Sequence, residues 1–146
     1  NVVMTRKSDE GLYSESSTGK KSEDMRKRCA IIDSSDAVAA ISIHQNSYHE
    51  ENVKGAQVFF YKNSEDGKQL AECLQESLVN ELDKTNIRQA KSNDSYYILR
   101  KTQTPTVIVE CAFLSNYEEA ALIIEEDYQN KVAKAILSGL KNYLEQ

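Results

Sequence analysis

Apolar residues recur at every fourth position from Leu70 through Leu74 and Leu78 to Leu82. That spacing stacks them on one helical face and predicts a helix over about Ser64 to Lys84. Tyr128, Val132, Ile136, Leu140 and Tyr143 form a second stripe and predict a last helix. Ser22, whose hydroxyl can accept from a free N–H of a first turn, opens a third helix through Met25, Cys29 and Ile32 to about Ser35. Asn116, with Glu119 three residues later, resembles a capping box opening a short helix. Between the stripes the pattern changes. Ala37–Ile43, Ala56–Tyr61 and Thr106–Val109 are continuous apolar runs, suited to strands buried on both faces. Asn1–Arg6 reads as a short strand, and Lys7–Lys21, rich in Ser, Gly and charge, as a mobile loop. Tyr96–Leu99 reads as a short strand or an irregular segment.

Strands alternating with helices place the chain in the α/β class, with a mostly parallel sheet flanked by helices on both faces. The 146 residues suit one domain, residues 1–146, with a sizeable core. A content of 40% hydrophobic and 28% charged residues is that of a globular rather than a disordered chain. The net charge of −5, without a Lys/Arg block, argues against nucleic acid as a partner. No apolar run approaches the roughly 18 residues of a membrane span.

Open parallel sheets bind ligands beyond the carboxyl ends of their strands. Two chemically useful residues stand there: Val38–Ile43 runs directly into His44, and Thr106–Val109 into Glu110. Each has a structural reading, a strand-end imidazole in a hydrogen bond and a carboxylate accepting turn N–H groups. Together at equivalent strand ends they read as a site, a neutral imidazole able to ligate zinc and a carboxylate able to act as general base on a water. Cys29, Cys73 and Cys111 form no C-x-x-C pair and read as small buried thiols, with a nucleophilic Cys111 the lesser alternative. A two-carboxylate glycosidase would need a second acid about 5 to 10 Å from Glu110. The loop residues Glu50 and Glu51 are weak candidates for it.

Ser42-Ile43-His44-Gln45-Asn46 resembles the SIHxN motif of the amidase-3 family, the zinc-dependent N-acetylmuramoyl-L-alanine amidases, and Val109–Asn116 resembles that family's VExGFLSN motif. Val2–Arg6 with Asp9, Gly55–Tyr61, Leu70-Ala71, Tyr96–Leu99 and Tyr128-Gln129 stand in the family's order. Within the family the likeness is to the CwlD-like sporulation and germination branch, which helps make muramic-δ-lactam in spore cortex. The resemblance implies a peptidoglycan hydrolase that cleaves the amide between N-acetylmuramic acid and L-alanine with a zinc-activated water. It assigns Glu110 as catalytic base and His44 as a zinc ligand, with Asn46, Arg88 and Asn116 as candidate substrate contacts. It also implies export to the cell envelope or spore cortex of a Gram-positive endospore former.

Two departures accompany it. Ala112 stands where the family commonly has Gly. The family's first strand, its His-Gly-Gly turn and first helix, which carry the other two zinc ligands, have no counterpart in the sequence. They are expected to lie elsewhere in a parent protein, to have been cut away, or to be lost in a degenerate copy. His49 could substitute as a ligand or be a solvated loop residue. On this reading the catalytic domain is N-terminally incomplete, binds zinc weakly and is inactive alone, and either the missing segment or an accessory protein is a partner. The competing reading is a non-catalytic peptidoglycan-binding or regulatory domain.

Overall fold

The computed structural model describes all residues, 1–146. In chain order it contains α1 (Lys20–Asp33), β1 (Ala40–Asn46), β2 (Gln57–Tyr61), α2 (Glu65–Leu82), β3 (Lys91–Asn93), α3 (Tyr97–Lys101), β4 (Thr106–Phe113), α4 (Tyr117–Ile123) and α5 (Glu126–Leu144). The four strands form one sheet in the order β1-β4-β2-β3. β1 pairs parallel with β4 and β2 parallel with β3, whereas β2 and β4 run antiparallel, so the sheet is mixed. β4 is central, and all eight of its residues are buried.

Side chains alternate across the sheet and give each face its own core. On one face Val58, Phe60, Val107, Val109 and Cys111 pack against the Leu70, Leu74 and Leu78 stripe of α2, with Val132 and Ala135 of α5 behind it. The three leucines are fully buried; each such burial contributes roughly 1.5–3 kcal/mol. The stripe of α5 packs here as its spacing predicts, Tyr128, Ile136, Leu140 and Tyr143 at the margin. The two helices meet closely because Gly139 has no side chain. A Cβ there would stand 2.7 Å from Leu74 Cα and 2.9 Å from the Cys73 carbonyl oxygen. On the other face Cys29 and Ile32 of α1 and Ile98 and Leu99 of α3 pack on Phe59 and Ile108.

Ser64 caps α2, its side chain accepting from Gly67 N–H. Several expectations are corrected. Asn1–Arg6 forms no strand: Val2, Val3 and Met4 are exposed and pair with no other segment. The cap of α1 is Gly19, not Ser22, which lies inside the helix. The loop before α1 is tied to the helix, with Leu12 N–H donating to Asp24 at 2.7 Å and Lys20 lying over the Tyr13 ring. Tyr96–Leu99 gives way to the short helix α3, whose buried Ile98 and Leu99 cover the sheet face. β3 has no apolar run to announce it; it adds to the sheet only by pairing with Phe59–Tyr61. β1 starts at Ala40, continues through His44, and forms a sheet edge with Ile43 60% exposed. It is therefore not a strand buried on both faces.

Candidate active site

His44 and Glu110 lie inside their strands rather than at the ends, and they are register partners in the parallel β1–β4 ladder. Paired positions share a sheet face, so both side chains emerge on the α1/α3 face. Immediately beyond them the ladder slips, Asn46 pairing with Phe113, so β4 carries one more residue than β1 over this step. A bulge of this kind bends a strand and re-aims its side chains, and bulges concentrate beside functional sites. On the other side of β4, Gln57 is the register partner of Glu110.

Glu110 is 7% exposed, and its Oε2 has no hydrogen-bond partner. Burial raises its pKa above the ordinary carboxylate value. A desolvated carboxyl that is poorly satisfied costs stability, and such groups concentrate where chemistry is done. His44 is exposed at the sheet edge, with Nε2 2.8 Å from Ser42 Oγ. Partial desolvation, and then the positive charge of Arg28, lower its pKa below the usual imidazole value and favour the neutral, ligating form. Tyr96 packs edge-on against Phe59, and its phenol pKa is raised by burial and then by the Glu110 charge.

The remaining candidates divide by what their polar atoms already do. Asn116 is buried; its Oδ1 accepts from Glu119 N–H at 3.0 Å, and its Nδ2 donates to the Glu51 carbonyl at 2.8 Å. The capping box is half made, because Glu119 instead accepts from Gly55 N–H at 2.8 Å and Phe113 N–H at 2.7 Å. Arg88 donates to the Lys54 carbonyl at 2.7 Å and to Gln57 Oε1 at 3.1 Å, and its guanidinium lies 4.9 Å from the Phe113 ring centroid. Both side chains therefore brace the loops around the bulge. Asn46 Oδ1 accepts from Ser47 N–H, and its carbonyl accepts from Leu114 N–H, both at 2.8 Å. His49 is exposed, its ring tilted against Tyr48 with centroids 4.2 Å apart, and it lies 3.5 Å from the Glu50 carboxylate. Cys111 lies on the opposite face from Glu110; burial and then the Glu110 charge push its thiol up to about 12, which removes it as a nucleophile. Cys29 and Cys73 are likewise buried free thiols.

Two groups near the pair were not among the site residues nominated from sequence. Arg28 and Asp24 sit one turn apart on α1, joined by hydrogen bonds of 2.7 Å from Nε and 3.3 Å from Nη2. Their i, i+4 spacing was the one available hint. Tyr96 opens a segment that stands in the family's order, but its approach to Phe59 and to the Glu110 charge is set by tertiary structure.

No group of three or more His, Cys, Asp or Glu side chains comes together in the structure. Zinc is held by three protein ligands in catalytic sites and four in structural ones, so one imidazole beside one carboxylate does not fit that ion unaided. No helix is long and apolar enough to cross a membrane.

Comparison with known proteins identifies the family and the fold. The family model described as N-acetylmuramoyl-L-alanine amidase matches residues 1–142. The germination-specific N-acetylmuramoyl-L-alanine amidase of Bacillus subtilis (strain 168) is 37% identical over 145 residues, which cover 97% of this chain and 61% of that protein. The chain thus spans about three fifths of the length of that relative. Among solved structures, the CwlD amidase from Clostridioides difficile in complex with the GerS lipoprotein superposes with a TM-score of 0.94 at 40% identity, covering 98% of this chain and 75% of that one. The amidase AmiC2 of Nostoc punctiforme gives a TM-score of 0.75 at 30% identity over 83% of this chain and 66% of that one.

Proposed function

Because the chain belongs to the N-acetylmuramoyl-L-alanine amidase family, we propose that it is the base-bearing part of a peptidoglycan hydrolase. The bond cleaved is the amide between the lactyl carbonyl of N-acetylmuramic acid and L-alanine. The observation that carries this reading is the juxtaposition of an unpartnered, buried Glu110 with the His44 imidazole in one register pair beside a bulge. Glu110 takes the proton of the attacking water and returns a proton to the departing amine, a task its raised pKa suits. On the central strand between β1 and β2 the carboxyl is buried, and no hydrogen bond to Oε2 spends its basicity.

Zinc, when bound, polarises the amide carbonyl and acidifies water. We assign His44 as one of its ligands and place the others outside these 146 residues, in keeping with the share of the Bacillus relative that the chain spans. Asn46, on the bulge, is the more available of the proposed substrate contacts; Arg88 and Asn116 act by holding the surrounding loops. The germination-specific activity named for the Bacillus relative and the likeness to the Clostridioides CwlD amidase support spore cortex as the substrate and the envelope as the location, with muramic-δ-lactam the product of later steps. An accessory lipoprotein like the one bound in that structure is the proposed partner.

A peptidoglycan-binding domain without turnover is the second reading, favoured by the absence of a three-ligand cluster. Purified muropeptides separate the two. The protein as its gene encodes it is expected to release stem peptides with a new L-alanine amine, and the Glu110→Gln form to bind zinc but release none. Binding of muropeptide without peptide release by the encoded protein would establish the second reading. Undiminished zinc content in His44→Ala would remove His44 from the ligand set.

A further inference from the structure

We propose that Arg28 is a substrate-binding residue, its guanidinium clamped along one edge by Asp24 and offering its free edge to the α-carboxylate of the second residue of the peptide stem beside His44 and Glu110. The proposal rests on the amidase reading and adds to it a determinant of which stems are accepted.

The placement follows from the topology. Asp33, at the end of α1, accepts from Gln103 N–H at 2.9 Å, just before β4, and Ala40 N–H at the start of β1 donates to Pro105. Helix α1 therefore runs back against the strand direction. Asp24, nine residues before Asp33, lies about 13 Å along the helix, and His44, four residues beyond Ala40, lies about 13 Å along β1. Arg28, five residues before Asp33, starts about 7.5 Å along the helix, and its side chain runs toward the helix N-terminus to meet Asp24, which carries the guanidinium toward the level of the imidazole. Cys29 and Ile32 are buried against the sheet, which leaves Arg28 at the margin of the packed face.

Asp24 makes this guanidinium a prepared receptor. It is only 9% exposed and accepts from Leu12 N–H as well as from Arg28. Burial acts to raise its pKa, but these hydrogen bonds and the Arg28 and Arg6 charges outweigh it and leave the carboxylate ionised. Two of the five guanidinium N–H donors are engaged by Asp24, and the rest stay in a planar fork matched to a carboxylate. With Arg6, the cluster carries two positive charges against one negative. If Arg28 served only to neutralise Asp24, it would stabilise the fold without distinguishing ligands.

The test uses two N-acetylmuramoyl-L-alanine dipeptides, one ending in D-glutamate and one in D-isoglutamine, which differ in an α-carboxylate against a carboxamide. Calorimetry on the zinc-loaded, gene-encoded protein carrying Glu110→Gln, which holds ligand without turnover, should show the carboxylate form bound about tenfold tighter. Adding Arg28→Gln should bring that ratio close to one. Arg28→Lys, which keeps the charge and loses the fork, should reduce it to an intermediate value. A ratio of one in the parent, or a ratio unchanged in either Arg28 variant, overturns the proposal; if Arg28→Gln does not fold, Arg28→Lys decides. Failure of the underlying reading is a separate result, absence of stem-peptide release by the unsubstituted protein.

Discussion

Replacing Glu110 with Gln should make the protein more stable at neutral pH while removing its proposed base. Glu110 is 7% exposed and its Oε2 is unpartnered. An unsatisfied buried polar group costs about 1–3 kcal/mol, and more when charged. The amide of Gln still buries a polar atom without an assured partner, so only the charge-specific part is recovered, about 1–2 kcal/mol at pH 7. With an unfolding entropy of about 2.1 cal/mol/K per residue, a chain of this length gains about 3 °C in Tm per kcal/mol. A rise of about 3 to 6 °C is expected in calorimetric unfolding.

The pH dependence identifies the cause. Burial raises the folded-state pKa above the ordinary 4.5. Below that value the carboxyl is protonated in both states and incurs no charge penalty. Above it the unfolded chain releases its proton freely, while the folded chain holds the proton or buries the charge, and stability falls until the pH passes the folded value. The advantage of Gln should therefore be full at neutral pH and vanish below about 4.5. A variant no more stable than the parent at pH 7, or an advantage that persists unchanged at acid pH, would refute the assignment of Glu110 as a desolvated, unpartnered acid.

Gly139→Ala would drive a methyl group into the α2 backbone at Leu74 and Cys73. It should cost about 1–3 kcal/mol in urea denaturation, and a neutral result would mean that the helices are not this close. Asn116→Ala removes the α4 cap and the tie to the Glu51 carbonyl; the expected loss is about 1–2 kcal/mol by the same measurement. Cys111, buried with its thiol pushed up to about 12, should resist a disulfide-exchange reagent at pH 8 until denaturant is added. Labelling of Cys111 in the native protein, located by mass spectrometry, would contradict that burial.

The α2 and α5 stripes were legible because a packed helix must repeat its apolar residues near its own period, and those residues line the larger core. The run Thr106–Val109 announced the central strand for the same reason. The α/β class and its two-sided helix cover followed from alternation. Segments whose structure depends on distant partners were not legible. Asn1–Arg6 has strand-like composition but no strand to pair with, whereas Lys91–Asn93, without an apolar residue, is a strand because Phe59–Tyr61 lies beside it.

The site divides along the same line. The residue types and their places after apolar runs nominated His44 and Glu110 from sequence, because a polar group directly following a buried strand needs a reason to be there. Their register pairing, the bulge, the unpartnered Oε2 and the Asp24–Arg28 clamp belong to tertiary structure alone. So does the difference between Asn46 at the bulge and the internally occupied amide of Asn116. Local sequence fixes periodicity and chemical identity. Which groups meet, and which are stripped of water, is decided by strand order and packing between residues far apart in the chain.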